Sequence, residues 1–332
     1  MPTVLESLNS ALHHAMETDA RIYVVGEDIL DPYGGAFKVT RGLSTKFPER
    51  VLTTPISEAA IVGVANGMAI RGLRPVVEIM FGDFLTLVAD QLVNHAAKFR
   101  WMYNNNVTVP IVVRTPMGGR RGYGPTHSQS LEKMFLGVPG LKVIAPNTFG
   151  EAGLLLEDSI ADDDPVLFVE HKLLYTCPQL MPGKGDLIDF EYQQTGKIYP
   201  NYVFRIPTRT PNLTIATYGY NFELVRSVVL DLLMEHEIFV EIVLFSQLSP
   251  LDMEPLLGSL RRTRKLLTVE EGTLALGWGA EVAARAAETM NGLQIQRVAA
   301  LDFPIANART VENAILPSQE SIIRAALSMV EP

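Results

Sequence analysis

The stretch Thr54-Pro55-Ile56-Ser57-Glu58, running straight into Ala59-Ala60-Ile61-Val62-Gly63-Val64-Ala65-Asn66-Gly67-Met68-Ala69, puts one carboxylate at the mouth of a helix otherwise built to be buried. Ser57 suits an N-cap, and Glu58 then falls in the first turn, at the positive end of the helix dipole. Ala60, Gly63, Gly67 and Ala69 make a thin surface suited to close packing, so the spacing predicts a helix over Ser57–Arg71 covered on nearly every side. For an arbitrary Ser-Glu pair the plain reading is a dipole-complementing side chain. The rest of the chain argues for more.

Outward from this helix the sequence alternates short β-branched runs with helical segments, the pattern of parallel sheets with crossover helices. In the first half the expected strands are Ile22–Val25, Val51–Thr53, Pro75–Ile79, Val109–Thr115, Lys142–Ala145 and Val166–Glu170. Helices are expected near Thr3–Thr18, Ser57–Arg71, Asp83–Tyr103 and Phe149–Ala161. Glycines and prolines crowd Pro182–Pro211, which reads as a linker or surface excursion. A second alternation follows, with strands at Leu213–Thr217, Phe239–Val243, Lys265–Val269 and Gln294–Ala299 and helices at Phe222–His236, Asp252–Leu260, Ala280–Met290 and Ser318–Met329. The expectation is two α/β domains, 1–181 and 211–332, joined by 182–210, each a mostly parallel sheet with helices on both faces.

Composition bounds the function. The 332 residues are 47% hydrophobic and 20% charged, enough for two substantial cores, and the net charge of -9 without a basic aromatic stripe argues against nucleic acid. A single cysteine, Cys177, rules out an internal disulfide framework and suits a reducing compartment. The first twenty residues read as an amphipathic helix carrying Glu6, Glu17 and Asp19 and not as a secretion signal, and no apolar run reaches the roughly 18 residues a membrane span needs. A cytoplasmic protein is expected.

The apolar run Ile111-Val112-Val113 opens into Gly118-Gly119-Arg120-Arg121-Gly122-Tyr123-Gly124-Pro125-Thr126-His127. A glycine-rich loop at the C-terminal end of a buried strand is where open α/β sheets bind ligands. Its spacing is neither that of a Walker loop nor that of a dinucleotide fingerprint. On local evidence a surface turn with an ordinary histidine reads equally well.

Taken together, GGAFKVTRGLSTKFPERVLTTPISEAAIVGVANGMAIRGLRPVVEIMFGDF, PIVVRTPMGG, THSQSLEKMF and GVPGLKVIAPNTFGEAGLLLEDSIADDDPVLFVEHKLLY resemble the β subunit of the thiamine-diphosphate-dependent 2-oxoacid dehydrogenases, the decarboxylating component of pyruvate, branched-chain 2-oxoacid and acetoin dehydrogenase complexes. The match is dense from about residue 20 to 175 and resumes more weakly at LTIATYG, LSPLDMEPLLGSLRRTRKLLTVEEG and GWGAEVAARAAE. It implies a pyrimidine-binding transketolase-like domain and a transketolase C-terminal-like domain. Glu58 matches the glutamate that hydrogen-bonds the cofactor pyrimidine, which makes the exocyclic amine a better acid. Phe84 matches the aromatic side chain stacked on that ring, Ile56 a further cofactor contact, and His127 the histidine facing the reacting carbonyl and the incoming lipoyl group. Ile111, Ser159, Asp162 and Asp164 match positions that hold a structural potassium ion in some members. Arg120 and Arg121 carry charge suited to attracting the substrate carboxylate, but the family is glycine-rich here, and they stay unassigned.

The chain lacks the Gly-Asp-Gly and downstream Asn pair that hold magnesium on the diphosphate; its Gly82-Asp83 and Gly185-Asp186 have no such sequel. The resemblance implies that an α subunit supplies the motif, giving an α2β2 heterotetramer that acts on a small 2-oxoacid and passes the acyl unit to a lipoyl-bearing acyltransferase core. Between Cys177 and Pro211 the chain is longer than the family pattern and carries VFRIPTRTPN, and LDFPIANARTVENAILPS keeps only the outline of the closing segment. Two further readings therefore stand beside the first: half of a split transketolase-like or acyloin-forming enzyme, and a catalytically silent scaffold that completes an interface.

Overall fold

In the computed structural model, which describes residues 1–180 and 190–330, the strands in chain order are β1 Ile22–Gly26, β2 Val51–Thr53, β3 Arg74–Glu78, β4 Val112–Met117, β5 Lys142–Ile144, β6 Val166–His171, β7 Glu191–Thr195, β8 Asn201–Arg205, β9 Leu213–Tyr218, β10 Val240–Phe245, β11 Gln247–Ser249, β12 Lys265–Thr273 and β13 Gln294–Ala300. They form a seven-stranded sheet, β11-β5-β6-β4-β3-β1-β2, and a six-stranded sheet, β13-β12-β9-β10-β8-β7. Pairing is parallel except where β11 joins β5 and in the β7, β8 and β10 ladder. The central strands β4, β6, β9 and β10 are buried along their whole length, as expected for sheets covered on both faces.

The segment expected as a linker carries, in its described part, a hairpin of the second sheet. Pro200 and Gly196, the latter at φ +80°, turn the chain between β7 and β8. Phe204 stacks on Phe222 at 5.4 Å and meets Phe149 edge-on at 4.6 Å, which anchors β8. β7, with the sequence EYQQT, is an exposed polar edge. The stretch 181–189 lies outside the described residues.

The expected helix Asp83–Tyr103 is segmented into a 3-10 turn at Gly82–Phe84, α-helix at Leu85–Asp90, a π-helical turn at Gln91–Ala96 and α-helix at Ala97–Met102. The physical reason lies on the neighbouring helix. Buried Asn66 donates its amide to the Gln91 carbonyl at 2.9 Å, taking an acceptor from the i→i−4 ladder where the helix widens. The helix Glu58–Ile70 begins at Glu58, but the Ser57 hydroxyl caps nothing. Nor is the helix covered all round: Ala59, Ala60, Val64, Gly67 and Ile70 form an exposed apolar face.

The two sheets share one continuous core. Val25, Ile61, Val113 and Leu167 of the first half pack in the same apolar cluster as Tyr218, Phe245 and Trp278 of the second. β11 reaches back to pair with β5, Gln247 opposite Ile144 and Ser249 opposite Val143. The C-terminal half therefore stands fixed against the strand ends of the first sheet.

Candidate active site

Because β1, β2, β3, β4 and β6 run parallel, the segments leaving their C-terminal ends meet at one edge of the first sheet. There β1 gives way to Glu27, β2 leads to Glu58, β3 leads to Phe81 and Phe84, β4 opens into the glycine-rich loop, and β6 ends next to Lys172. Glu58 is only 7% exposed and receives no hydrogen bond from the described residues. Glu27, equally buried, has its Oε1 without a partner. Burial, and then the Glu58 charge, push the Glu27 carboxyl above its ordinary range, eased by the Ser57 backbone N–H.

At the same sheet edge stands an aromatic group. The His127 ring meets Phe81 edge-on at 4.7 Å and Phe84 at 5.4 Å, and Phe81 also contacts Tyr123 at 6.2 Å. His127 Nδ1 is 3.0 Å from the Thr126 hydroxyl, and Nε2 has no hydrogen-bond partner among the described residues. Beneath the histidine, fully buried Lys172 donates from Nζ to the His127 carbonyl at 2.7 Å and lies 5.5 Å from the centre of the Phe81 ring. Burial pulls that ammonium down to about 8.

The glycine-rich loop is tied to the second half of the chain. Gly119 N–H donates to Glu271 Oε1 at 2.7 Å, and Arg120 N–H donates to Glu312 Oε1 at 2.7 Å. The Arg120 side chain is absorbed as well, by Glu271 at 3.3 Å and by the Pro317 carbonyl at 2.6 Å. Exposed Arg121 donates to the Lys172 carbonyl at 3.3 Å. His171 accepts the Leu173 N–H at Nδ1, so Nε2 carries the proton it shares with Glu271 at 3.1 Å. Burial alone would raise Glu271; His171, Arg120 and the Gly119 N–H hold it well below the usual carboxylate range.

The structure thus brings Glu58, Phe84 and His127 to one edge. Ile56 is 82% exposed, on the uncovered surface beside them. Ile111, Ser159, Asp162 and Asp164 lie elsewhere, around the opposite, N-terminal edge. There Lys142 pairs with Asp162 at 2.6 Å and Asp164 at 3.2 Å, and Arg74 donates to the carbonyls of Ile160 at 2.9 Å and Asp162 at 3.0 Å. A structural potassium ion there would share the corner with two side-chain cations. Among the described residues no cluster of three or more His, Cys, Asp or Glu could hold a metal, and Asp83 of the Gly82-Asp83 pair accepts from Gln129 N and Nε2 instead. Sequence reading missed Glu27, Lys172, Glu271 and Glu312. Only Glu27, an acid directly after a buried strand, carried a local signal.

The arrangement can be set against known proteins. The family described as Transketolase, pyrimidine binding domain matches residues 1–178, and Transketolase, C-terminal domain matches residues 204–322. Over 329 residues the chain is 37% identical to pyruvate dehydrogenase E1 component subunit beta-1 of Arabidopsis thaliana, a mitochondrial protein, covering 97% of this chain and 88% of that one. It is 34% identical over 336 residues to the acetoin:2,6-dichlorophenolindophenol oxidoreductase subunit beta of Cupriavidus necator, with 96% and 95% covered. The chain belongs to this β-subunit family. A split-gene transketolase solved as an inactive β4 tetramer superposes with TM-score 0.75 over 99% of both chains at 18% identity, which speaks for the fold. No helix among the described residues is long and apolar enough to cross a membrane.

Proposed function

We propose that this β-subunit family member is half of a composite thiamine-diphosphate site, joined by an α subunit in an α2β2 assembly that decarboxylates a small 2-oxoacid and passes the acyl unit to a lipoyl domain. One observation carries the reading: a buried carboxylate, Glu58, stands at the ligand edge of the sheet with no hydrogen-bond donor among the described residues, next to an orphaned oxygen of Glu27. A buried acid left unserved costs stability unless something outside supplies the donor. An aminopyrimidine ring nitrogen sharing a proton fits that need.

Thiamine diphosphate, when bound, would supply the nucleophile and the electron sink that decarboxylation of a 2-oxoacid needs. The chain's own work is narrower. Glu58 would hold a proton at the pyrimidine ring nitrogen, Phe84 and Ile56 would contact the ring, and His127 Nε2 would offer a proton to oxygen or sulfur as charge develops there. Magnesium on the diphosphate is the α subunit's task in this reading. The exposed face of Ala60, Val64, Gly67 and Ile70, continued by Ile56, suits the α interface. The half-buried lone Cys177 suits a reducing compartment such as the cytoplasm.

The test is reconstitution. The purified chain alone should decarboxylate nothing, and adding its α partner with thiamine diphosphate and magnesium should start turnover. Robust magnesium-dependent activity of the isolated chain would sink the composite-site reading. Transfer to a lipoyl domain separates the dehydrogenase from a split transketolase-like or acyloin-forming enzyme. The incompletely hydrogen-bonded acids Glu58 and Glu27, at the same sheet edge as His127, weigh against a silent scaffold.

A further inference from the structure

The loop between β4 and His127 has little to hold itself in place: Arg121, Gly122, Tyr123, Pro125 and Thr126 are all exposed, and Arg120 stands in the left-handed region at φ +70°. For a non-glycine residue that conformation costs about 1–2 kcal/mol and persists only where surroundings fix it. What fixes it comes from the C-terminal domain. Glu312, 1% exposed on the short helix Arg309–Ile315, directs its hydrogen bonds to this loop, taking Arg120 N–H at 2.7 Å and Gly122 N–H at 3.2 Å. Its site is closely shaped. A Cβ on Gly119 would fall 2.7 Å from Leu316 Cδ1 and 3.2 Å from Glu312 Oε1.

From this grip a continuous chain of contacts reaches the histidine. Gripped residues 120 and 122 flank Arg121, which donates to the Lys172 carbonyl at 3.3 Å, and Lys172 Nζ donates to the His127 carbonyl at 2.7 Å. We propose that Glu312 is a positioning residue: from the C-terminal domain it sets the place of His127 in the other domain. The inference rests on the role given to His127 above. Buried carboxylate to N–H bonds are charge-assisted and short, suited to fixing a loop that packing does not fix. A displacement of about 1 Å at a reacting group can cost on the order of 100-fold in rate.

The experiment uses the assembled α2β2 enzyme carrying Glu312→Ala, with Glu312→Gln where the alanine variant fails to fold, each alone and combined with His127→Ala. Turnover to the lipoyl acceptor should fall at least about tenfold with the 2-oxoacid KM within about twofold of wild type, and trypsin should now cleave after Arg120 or Arg121. In the His127→Ala background the second substitution should cost nothing more, because both act through the same ring. Wild-type turnover in the Glu312 variants, unchanged resistance to trypsin, or losses that add in the double variant would overturn the positioning role. Wild-type turnover in His127→Ala alone would overturn the role of His127 itself, a separate failure.

Discussion

Two sets of buried carboxylates occupy neighbouring regions of this molecule and are treated in opposite ways. Along the seam between the domains every acid is served: Glu312 takes two backbone N–H groups, Glu271 takes Gly119 and His171, Glu270 takes the N–H groups of Trp278 and Gly279, and Glu132 takes the Tyr218 hydroxyl. At the mouth of the first sheet, among the described residues, Glu58 has no donor and Glu27 keeps one oxygen bare. Burial is similar, since all six are at most 7% exposed. What differs is the donors they meet, and a buried acid short of donors at the ligand edge of a sheet is a candidate for a ligand to complete.

The strongest way to break that contrast is Glu58→Gln in the assembled enzyme. The amide keeps the shape but is a poor proton partner for a ring nitrogen, so turnover should fall by about 100-fold or more. Stability should move by less than about 0.5 kcal/mol, because no bond within the chain is lost. Urea unfolding of the variant checks the second half. A variant that kept most of its activity would remove Glu58 from the chemistry.

The complementary test lies inside the first sheet, where Arg114 bridges Glu78 at 3.0 Å and Glu170 at 2.8 Å, its side chain 1% exposed. Tyr175 adds a hydroxyl to Glu170 at 2.5 Å. Arg114 Nε also stands 2.7 Å from Glu170 Oε1 as an ion pair, so both acids of this group face the Arg114 cation, and the group belongs with the structural acids although it lies in the ligand-binding domain. Arg114→Met should destabilise the chain by about 3–5 kcal/mol by leaving two buried carboxylates without their cation. Urea denaturation measures it. A loss below about 1 kcal/mol would show that a buried cation partner is a poor guide to which acids hold the fold.

The contrast also explains what was legible beforehand. Strand periodicity and the Ser57-Glu58 junction are local, so the parallel sheets, the helix start at Glu58 and the loop carrying His127 could be read directly, whereas the roles given to Glu58 and His127 came from the family resemblance. The hairpin of β7 and β8 could not, because EYQQT has the polar composition of a loop and becomes a strand only beside β8. The π-helical turn depends on Asn66, 25 positions from its partner. Glu312 meets Arg120 across 192 positions, and nothing near either residue announces the other. The donors missing from Glu58 and from one oxygen of Glu27 are likewise a property of three-dimensional surroundings alone.

The smallest expected effect is a pH dependence at the seam, and Glu270 is the residue to test it on. Burial first, moderated by the Gly279 and Trp278 N–H groups and raised again by nearby Glu132, moves its carboxyl from an ordinary 4.5 to about 7. Between those values the folded chain holds a proton that the unfolded chain has released, so stability falls as pH rises through this window and levels off above about 7. A gap of that size corresponds to at most about 3 kcal/mol. Glu27, Glu78 and Glu132 are also raised and act with the same sign. His171, lowered by burial, acts against them, because its unfolded form takes up a proton more readily as pH falls. The Glu270 share is therefore read by difference. Thermal unfolding of the wild type and of Glu270→Gln at fixed ionic strength, from pH 5 to pH 8, should give a shallower decline in the variant, with the two curves diverging most below pH 7. Parallel curves would show that Glu270 is ionised in the folded chain across the whole range, and the served acids of the seam would then carry more charge than their surroundings imply.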